Sequence, residues 1–294
     1  MTKCIAFHSY KGGTGKTTIA ANFGALLAKK GYNVYLLDLD VYAPSLGAYF
    51  DIYEPKKWIN DFLLGNATVD DVCLDITKRI SDDMKGTLNV GFANSSKEEI
   101  YKLEGNVSRQ SSQMQLLRNF ILLREELFVK KNADFVIIDT SPGIRYWSIN
   151  TLAVSDIVIL TLKMGDLDIE GTKKMAQEIY GAFTKFGTLC YLLLNRGPGY
   201  CSIPESQHNP VAITIGGGGG KGGKHHGNSI QYDTLEDLSN TIDIGVISEI
   251  PCYCDIQFSK KEFLTGLKYP EHPFTLKLLN LANKLETNET YSQQ

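Results

Sequence analysis

The chain has 294 residues, 43% of them hydrophobic, and a formal net charge of −3. A chain of this length and apolar content can bury the core of one large α/β domain, or of two domains at most. No apolar run approaches the roughly 20 residues that a membrane-spanning helix needs, and the N-terminus lacks a signal-peptide layout. The small net charge gives no global indication of a nucleic-acid-binding protein.

The cysteines are scattered, mostly in strand-like apolar contexts. There are six of them: Cys4, Cys73, Cys190, Cys201, Cys252 and Cys254. Because no secretory signal accompanies them, this usage predicts reduced thiols and a cytoplasmic location.

Short apolar runs alternate with helical periods along the chain. The first run, KCIAFHS, precedes a glycine-rich loop and a predicted helix that begins at about Lys16 and ends at Gly31, a good C-terminal cap. That helix places four apolar residues on one face: Ile19, Phe23, Leu26 and Leu27.

Six more strand-like runs follow: NVYLLDLD, TLNVGFA, DFVIIDT, DIVILTL, LCYLLLN and IDIGVISEIP. Amphipathic stretches such as QLLRNFILLREELFVKK and DIEGTKKMAQEIYGAFTKF separate several of them. Apolar strands separated by helices indicate a sheet that is covered on both faces. We therefore predict a doubly wound α/β fold with a mostly parallel sheet of about seven strands. Ligands bind such sheets at the carboxyl ends of the strands.

We expect one domain over residues 1–285, a long connection at about 196–242 and a polar tail at 286–294. The connection contains GGGGGKGGKHHG, from Gly216 to Gly227, and is followed by a short predicted helix in SIQYDTLEDLSNT. It is either a mobile surface flap or a functional loop. In the second case its candidate ligands are His225 and His226 for a metal, and Lys221 and Lys224 for a phosphate or another polyanion.

The loop after the first strand, SYKGGTGKTT at residues 9–18, almost satisfies the phosphate-loop pattern G-x-x-x-x-G-K-[ST]. Gly15, Lys16 and Thr17 are in place. Tyr10, however, stands where the pattern has its first glycine, and Lys11 is an additional lysine.

Glycines allow such a loop to curl so that its N–H groups cradle phosphate oxygens, and the following helix adds the positive end of its dipole. We expect Lys16 to reach the β- and γ-phosphates and Thr17 to place its hydroxyl on Mg²⁺. The alternative is a glycine-rich turn that merely opens a helix. The position of GKTT, directly between a buried strand and a capped helix, disfavours that alternative.

Three aspartates follow two other strands. Asp38 and Asp40 lie in DLDVYAPS, where their spacing puts both carboxylates on one side of an extended segment. Asp139 ends the apolar run of VIIDTSPG, a position where a carboxylate can hold a Mg²⁺-bound water. Any one of them could be a turn residue or a helix cap. A metal–phosphate site explains all three together.

These motifs, KGGTGKTT, LLDLD followed by Pro44, and VIIDTSPG, together resemble the MinD/ParA family of deviant Walker A P-loop ATPases. The resemblance extends in order from Cys4 to about Leu285. It implies that position 10, which is Tyr10 in this chain, need not be a glycine. It also implies that Lys11 reaches across a dimer interface to the phosphates of the partner's ATP, much as an arginine finger completes a site in trans.

The resemblance implies further roles. Lys11, Lys16 and Asp40 would act in catalysis, with Asp40 orienting the attacking water. Mg²⁺ would be held by Thr17, Asp38 and Asp139. Nucleotide would be bound by the loop residues Gly12, Gly13, Thr14, Gly15, Lys16, Thr17 and Thr18.

The same resemblance assigns TSPGIR, from Thr140 to Arg145, to a second switch that senses the γ-phosphate. It places Asn195 where the family reads the adenine amino group, and Pro251 in the wall of the adenine site. The alternative for Asn195 is a turn residue that ends its strand.

The function implied is a Mg²⁺-dependent ATPase that converts ATP and water to ADP and phosphate and dimerises around ATP. It would act slowly, under the control of an activating or cargo protein, as a positioning, partitioning or regulatory switch. The alternative is a metal-cluster carrier or assembly factor on the same scaffold, as in the related Mrp-type iron–sulfur carriers. Those use a C-x-x-C pair, which this chain lacks. Cys252 and Cys254 in an extended strand would nevertheless point the same way.

The C-terminal segment PFTLKLLNLANKL is amphipathic, with four apolar residues on one side: Phe274, Leu278, Leu281 and Leu285. A membrane-surface helix and a helix packed on the sheet both fit this pattern, and we favour the second. The tail ETNETYSQQ has no basic residue and no apolar face, which predicts no lipid binding and no membrane insertion. From Pro251 onward basic and acidic residues balance, so we expect at most weak, salt-sensitive, nonspecific DNA binding.

Overall fold

A computed structural model describes residues 2–107, 110–185, 187–197 and 235–287. Within these ranges eight strands form one sheet. They are β1 (Lys3–His8), β2 (Asn33–Leu39), β3 (Cys73–Asp75), β4 (Thr87–Gly91), β5 (Phe135–Thr140), β6 (Ile157–Leu162), β7 (Leu189–Gly197) and β8 (Val246–Pro251). Their order in the sheet is β3-β4-β2-β5-β1-β6-β7-β8. All neighbours are parallel except β3 and β4.

This architecture confirms the predicted α/β fold and all seven predicted strands. The additional strand, β3, was not predicted. Its three residues, CLD, are too few to produce a recognisable apolar run, and it pairs antiparallel at the edge of the sheet.

The helices lie between the strands and after the last one. They are α1 (Lys16–Lys30), α2 (Leu46–Phe50), α3 (Ile59–Leu63), α4 (Val69–Val72), α5 (Thr77–Ile80), α6 (Lys97–Val107), α7 (Gln110–Glu125), α8 (Tyr146–Ala153), α9 (Asp166–Met175), α10 (Gly181–Lys185), α11 (Leu235–Ile242), α12 (Cys254–Gln257), α13 (Thr265–Lys268) and α14 (Pro273–Thr287). π-helical turns at Glu126–Lys130 and Ala176–Tyr180 continue α7 and α9. None of the helices described is both long and apolar enough to cross a membrane.

Alternate side chains of each central strand enter two separate cores. In β1, Ile5 and Phe7 pack with α1, α2 and α14, whereas Cys4 and Ala6 pack with α3, α7, α8, α9 and α11. The sheet is therefore covered on both faces, which explains why its central strands are apolar on both sides.

Helix α1 is buried on all sides rather than along one stripe. Its four predicted apolar residues are buried, and so are four alanines of the same helix: Ala20, Ala21, Ala25 and Ala28. The reason is that α13 and α14 cover its outer side, where Asn22 Oδ1 accepts a hydrogen bond of 2.9 Å from the Gly266 N–H. Gly31 caps the helix as predicted. Its φ is 117°, and its N–H donates a hydrogen bond of 3.1 Å to the Ala28 carbonyl.

Helix α14 buries all four of its predicted apolar residues against α1 and β8. The prediction of a packed final helix is thereby confirmed, with α1 as well as the sheet as its support. Helix α11, at Leu235–Ile242, lies at the end of the segment predicted to form a short helix.

Strand β1 lies where the direction of winding reverses. The chain leaves β1 for β2 on one side of it, returns through β5, and continues from β6 to β8 on the other side. In open α/β sheets such a switch point forms a crevice at the carboxyl ends of the strands. Residues 9–15 follow β1 directly and occupy this crevice.

Candidate functional site

The loop after β1 uses its glycines as the sequence predicts. Gly13 and Gly15 have φ of 74° and 88°, which side chains rarely adopt. A side chain at Gly15 would also collide with the amide of Asn195. Lys16 begins α1 with 6% exposure, and its Nζ donates a hydrogen bond of 2.9 Å to Ser9 Oγ. The ammonium group is thus held inside the loop.

Tyr10, the residue in place of the first glycine, is half-buried against α9. Its ring lies on Gly171, where any Cβ atom would overlap ring atoms. The missing side chain at position 171 therefore makes room for the ring. Where the pattern has a flexible glycine, this chain therefore has a tyrosine whose ring packs against α9.

Lys11 is half-buried in the loop, with its Nζ 6.0 Å from the centroid of the Tyr10 ring. Its carbonyl accepts a hydrogen bond of 2.6 Å from Ser9 Oγ. No acidic side chain in the described ranges forms an ion pair with Lys11.

Asp38 and Asp139 occupy paired positions on the parallel strands β2 and β5, and neither is exposed. Burial raises the pKa of both carboxyl groups, and their mutual repulsion raises that of Asp38 further. Lys16 opposes the shift at Asp139, while burial lowers the pKa of Lys16 itself. Two carboxylates and one ammonium group therefore share a water-poor space.

The two carboxylates differ in their partners. Asp38 accepts hydrogen bonds from the N–H groups of Asp40, Ser45 and Leu46 at 3.1, 3.2 and 3.2 Å. No described residue donates a hydrogen bond of normal geometry to either oxygen of Asp139, although the Thr17 hydroxyl is near enough to lower its pKa. A buried carboxylate without a donor is a site that a cation would stabilise.

The Thr17 hydroxyl and the carboxylates of Asp38 and Asp139 are oxygen ligands of the kind that Mg²⁺ binds. The Thr17 hydroxyl accepts a hydrogen bond of 3.0 Å from Ser45 Oγ, which places it beside the segment that Asp38 holds. In the described part of the chain, no group of three or more His, Cys, Asp or Glu side chains is placed to hold a metal. Mg²⁺ usually takes only one or two carboxylates from the protein and completes its shell with phosphates and waters.

Asp40 is half-buried at the edge of the same space. Its Oδ1 accepts hydrogen bonds from Ser141 Oγ at 2.8 Å and from the Ala43 N–H at 3.2 Å. Farther out, the Arg145 guanidinium lies 4.1 Å from the centroid of the Tyr42 ring. The segments after β2 and β5 therefore contact each other at two points.

Asn195 and Pro251 line one pocket together with Gly15 and Thr18. The structure thus brings the predicted adenine-site residues to the phosphate loop. Asn195 is not a residue that ends its strand, because β7 continues to Gly197. Its Nδ2 donates a hydrogen bond of 2.6 Å to the Thr14 carbonyl.

His8, the last residue of β1, is a buried residue near this site. Its Nδ1 lies 2.6 Å from Thr140 Oγ1, and that hydroxyl donates to the Phe7 carbonyl. Since a hydroxyl has one proton, Nδ1 must be the donor, which sets the tautomer of the ring. Burial, assisted by the charge of Lys16, lowers the pKa of His8 to about 3. The ring is therefore neutral at physiological pH.

The strand geometry expected for Cys252 and Cys254 is wrong. β8 ends at Pro251, and Cys254 is the first residue of α12. The two cysteines therefore lie after the strand and not within it. Cys252 Sγ donates to Gln257 Oε1 at 3.5 Å. Cys201 and the glycine-rich segment Gly216–Gly227, with its histidines and lysines, lie outside the described residues.

The sequence did not single out several side chains that contact the predicted site residues. Among them are Ser9, Ser45, Tyr49, Thr161 and Arg196, whose Nη1 donates to the Gly13 carbonyl at 3.1 Å. Ser141 lies in the predicted second switch, but its bond to Asp40 was not predicted. Sequence spacing alone does not show which of the neighbouring polar groups point inward.

Comparisons with known proteins agree with this geometry. A family model described as an AAA domain matches residues 2–186. The sporulation initiation inhibitor protein Soj of Bacillus subtilis is 30% identical over 181 residues, which are 61% of this chain and 65% of Soj. The first curated relatives are matched over 63% to 65% of their own length, slightly less than two thirds.

Solved structures show the same fold. The cell division ATPase MinD of Pyrococcus furiosus has a TM-score of 0.67 at 20% identity, covering 98% of this chain and 100% of that one. MinD of Pyrococcus horikoshii in complex with Mg-ADP also has a TM-score of 0.67, at 19% identity, with coverage of 98% and 97%.

Proposed function

Since the chain belongs to the AAA-domain family matched above, the MinD/ParA P-loop ATPases, we propose that it hydrolyses ATP with Mg²⁺ and dimerises around the nucleotide. It would serve as a positioning, partitioning or regulatory switch. The observation that carries the proposal is the burial of the Lys16 ammonium opposite the unpartnered carboxylate of Asp139, below a glycine loop at the switch point.

In this proposal the loop N–H groups and Lys16 bind the phosphates of ATP. Thr17 and Asp139 hold Mg²⁺, directly or through water, and Asp38 is the neighbouring carboxylate. When bound, the metal neutralises charge on the phosphate oxygens. MinD of Pyrococcus horikoshii, which has the same fold, carries Mg-ADP.

We propose that Asp40 orients the attacking water. Its carboxylate is half-buried, and burial lowers the pKa of Lys16 while the charges of Asp139 and Asp40 partly offset that lowering. A carboxylate that is not itself a proposed metal ligand can accept a hydrogen bond from water without displacing those ligands.

Lys11 is proposed to reach the ATP of a second copy of the chain. Its position in the loop, without an acidic partner in the described ranges, leaves its charge for an anion outside its own subunit. Supplying this charge in trans would make nucleotide binding and dimerisation one event.

Asn195 and Pro251 are proposed to contact adenine. The pocket that they share with Gly15 and Thr18 lies beside the loop, as a nucleotide base would require. To contact the base, Asn195 would either break its hydrogen bond to the Thr14 carbonyl or donate the second proton of its side-chain amide.

An activating or cargo protein is proposed as the partner of the dimer, with weak and salt-sensitive DNA binding at most. A metal-cluster carrier is the less favoured function, because the chain has no C-x-x-C pair and Cys252 and Cys254 lie after β8 and not within it.

Four measurements test the proposed function. Titration calorimetry should show that ATP binds more tightly with MgCl₂ than with EDTA, and phosphate release should be slow but above background. Size-exclusion chromatography should give a larger species with ATP than with ADP. An absorbance spectrum of anaerobically purified protein should lack the visible bands of a metal cluster. Absence of nucleotide binding, or presence of those bands, would overturn the proposal.

A further inference from the structure

We propose that Ser141 is a positioning residue for Asp40, and this inference rests on the proposed ATPase function. Ser141 is fully buried, and its Oγ donates to Asp40 Oδ1 at 2.8 Å. The other acceptor within reach, the Leu39 carbonyl, is 3.4 Å away. The single hydroxyl proton is therefore directed at the carboxylate.

The contact follows from the register of the sheet. Asp38 pairs with Asp139, and Leu39 pairs with Thr140, on the parallel strands β2 and β5. Asp40 and Ser141 are the next residues along each strand. The sheet thus brings the hydroxyl and the carboxylate together, although 101 positions separate them in the chain.

Ser141 is itself held in place. Its carbonyl accepts a hydrogen bond of 2.8 Å from Ser148 Oγ in α8. Two residues later, the Gly143 N–H donates to the Ser9 carbonyl of the phosphate loop, also at 2.8 Å. A donor fixed to the loop in this way sets the rotamer of Asp40 relative to the phosphates that the loop would bind.

The two oxygens of Asp40 consequently have different roles. Oδ1 accepts both hydrogen bonds, from Ser141 Oγ and from the Ala43 N–H. Among the described residues none donates to Oδ2. Oδ2 is therefore the atom with free lone pairs to accept a hydrogen bond from the attacking water. Without Ser141, the carboxylate would keep its charge and lose its orientation.

The test compares wild type, Ser141→Ala, Asp40→Ala and the double variant in single- and multiple-turnover ATP hydrolysis. Ser141→Ala should lower kcat about tenfold or more, because a hydrogen bond to a charged group is lost. KM and the Kd of a fluorescent ATP analogue should change less than about twofold. In the Asp40→Ala background the same substitution should have no further effect.

A second readout does not depend on the turnover assay. The ATP-bound dimer of Ser141→Ala should persist longer than that of wild type in size-exclusion runs. Ser155→Ala is the matched control, since it removes a buried hydroxyl, bonded to the Thr151 carbonyl at 2.8 Å, just before the amino end of β6 and away from the phosphate loop. It should leave kcat unchanged. If Ser141→Ala does not fold, Ser141→Cys, with a weaker donor of similar size, should still show the lower kcat.

Two outcomes overturn the role of Ser141 while leaving the ATPase function intact. One is an unchanged kcat in Ser141→Ala when Asp40→Ala is inactive. The other is an equal loss from the Ser141 substitution with and without Asp40. If instead wild type does not hydrolyse ATP, or Asp40→Ala keeps full turnover, the proposed function itself fails.

Discussion

Asp38 and Asp139 pair in register across β2 and β5, and both carboxyl groups are completely buried. Charge at this place is unfavourable without a cation, as the raised pKa of each group shows. Lys16 already opposes the shift at Asp139, and a bound metal ion would favour the charged carboxylates further.

This relationship predicts a pH-dependent stability. Because the folded-state pKa of Asp139 is raised, the folded protein binds the extra proton at low pH, and the stability from that proton is lost as pH rises through the folded pKa. Without metal or nucleotide, Asp139→Asn should therefore be more stable than wild type at pH 8, by about 1–3 kcal/mol. The difference should shrink as pH falls toward 5.

Thermal unfolding in EDTA between pH 5 and 8 measures this difference. Asp82→Asn, at an exposed position, is the control and should follow the wild-type curve. A constant gap between Asp139→Asn and wild type over this range would contradict the explanation.

Lys16→Ala should abolish nucleotide binding, or lower turnover by about 100-fold or more, because it removes the buried ammonium group of the loop. Binding of a fluorescent ATP analogue and phosphate release are the measurements. Lys29→Ala, near the other end of α1, should leave both unchanged. Unchanged nucleotide affinity in Lys16→Ala would show that the loop is only a helix-opening turn.

Lys11→Ala should lose ATPase activity and ATP-dependent dimerisation while keeping most of its nucleotide affinity as a monomer. The reason is that the proposed target of Lys11 belongs to the second copy of the chain. Size-exclusion chromatography with ATP and a fluorescent-nucleotide titration separate the two effects, with the exposed Lys174→Ala as control. Full activity in Lys11→Ala would make Lys11 an ordinary surface residue.

Asp40→Ala should bind ATP and accumulate as a dimer, because association precedes the attack of water. We expect turnover to fall by about 100-fold or more, with the ATP affinity within about threefold of wild type. Runs with ATP should give a larger species than runs with ADP. Identical elution with both nucleotides at micromolar concentrations would rule out ATP-driven dimerisation.

Gly171→Ala should weaken nucleotide binding and lower stability by about 1–3 kcal/mol, since the new methyl group overlaps the ring of Tyr10. Adding Tyr10→Gly, which restores the first glycine of the phosphate-loop pattern, should recover both properties. Thermal unfolding and nucleotide titration of the two single variants and the double variant form the cycle. Additive losses would show that the two residues act independently.

The sequence by itself determined the local features of this protein. Apolar runs predicted seven strands, and the helical period of residues 16–30 with Gly31 predicted α1 and its cap. Both depend on backbone geometry and burial over a few residues, so nearby side chains are sufficient to indicate them. The glycine loop was recognisable for the same reason.

Only the tertiary structure decided which distant residues meet. Tyr10 lies on Gly171, Ser141 bonds to Asp40, and Asn195 bonds to Thr14, and each pair is separated by more than 100 positions. These contacts depend on the order and register of the strands and on how helices pack against them.

The short strand β3 and the end of β8 before Cys252 were equally inaccessible to sequence reasoning. Three residues without a clear pattern become a strand because a neighbouring strand supplies hydrogen-bond partners. An extended segment ends where its neighbour ends. Pairing between strands is a long-range interaction, and no local period of side chains records it.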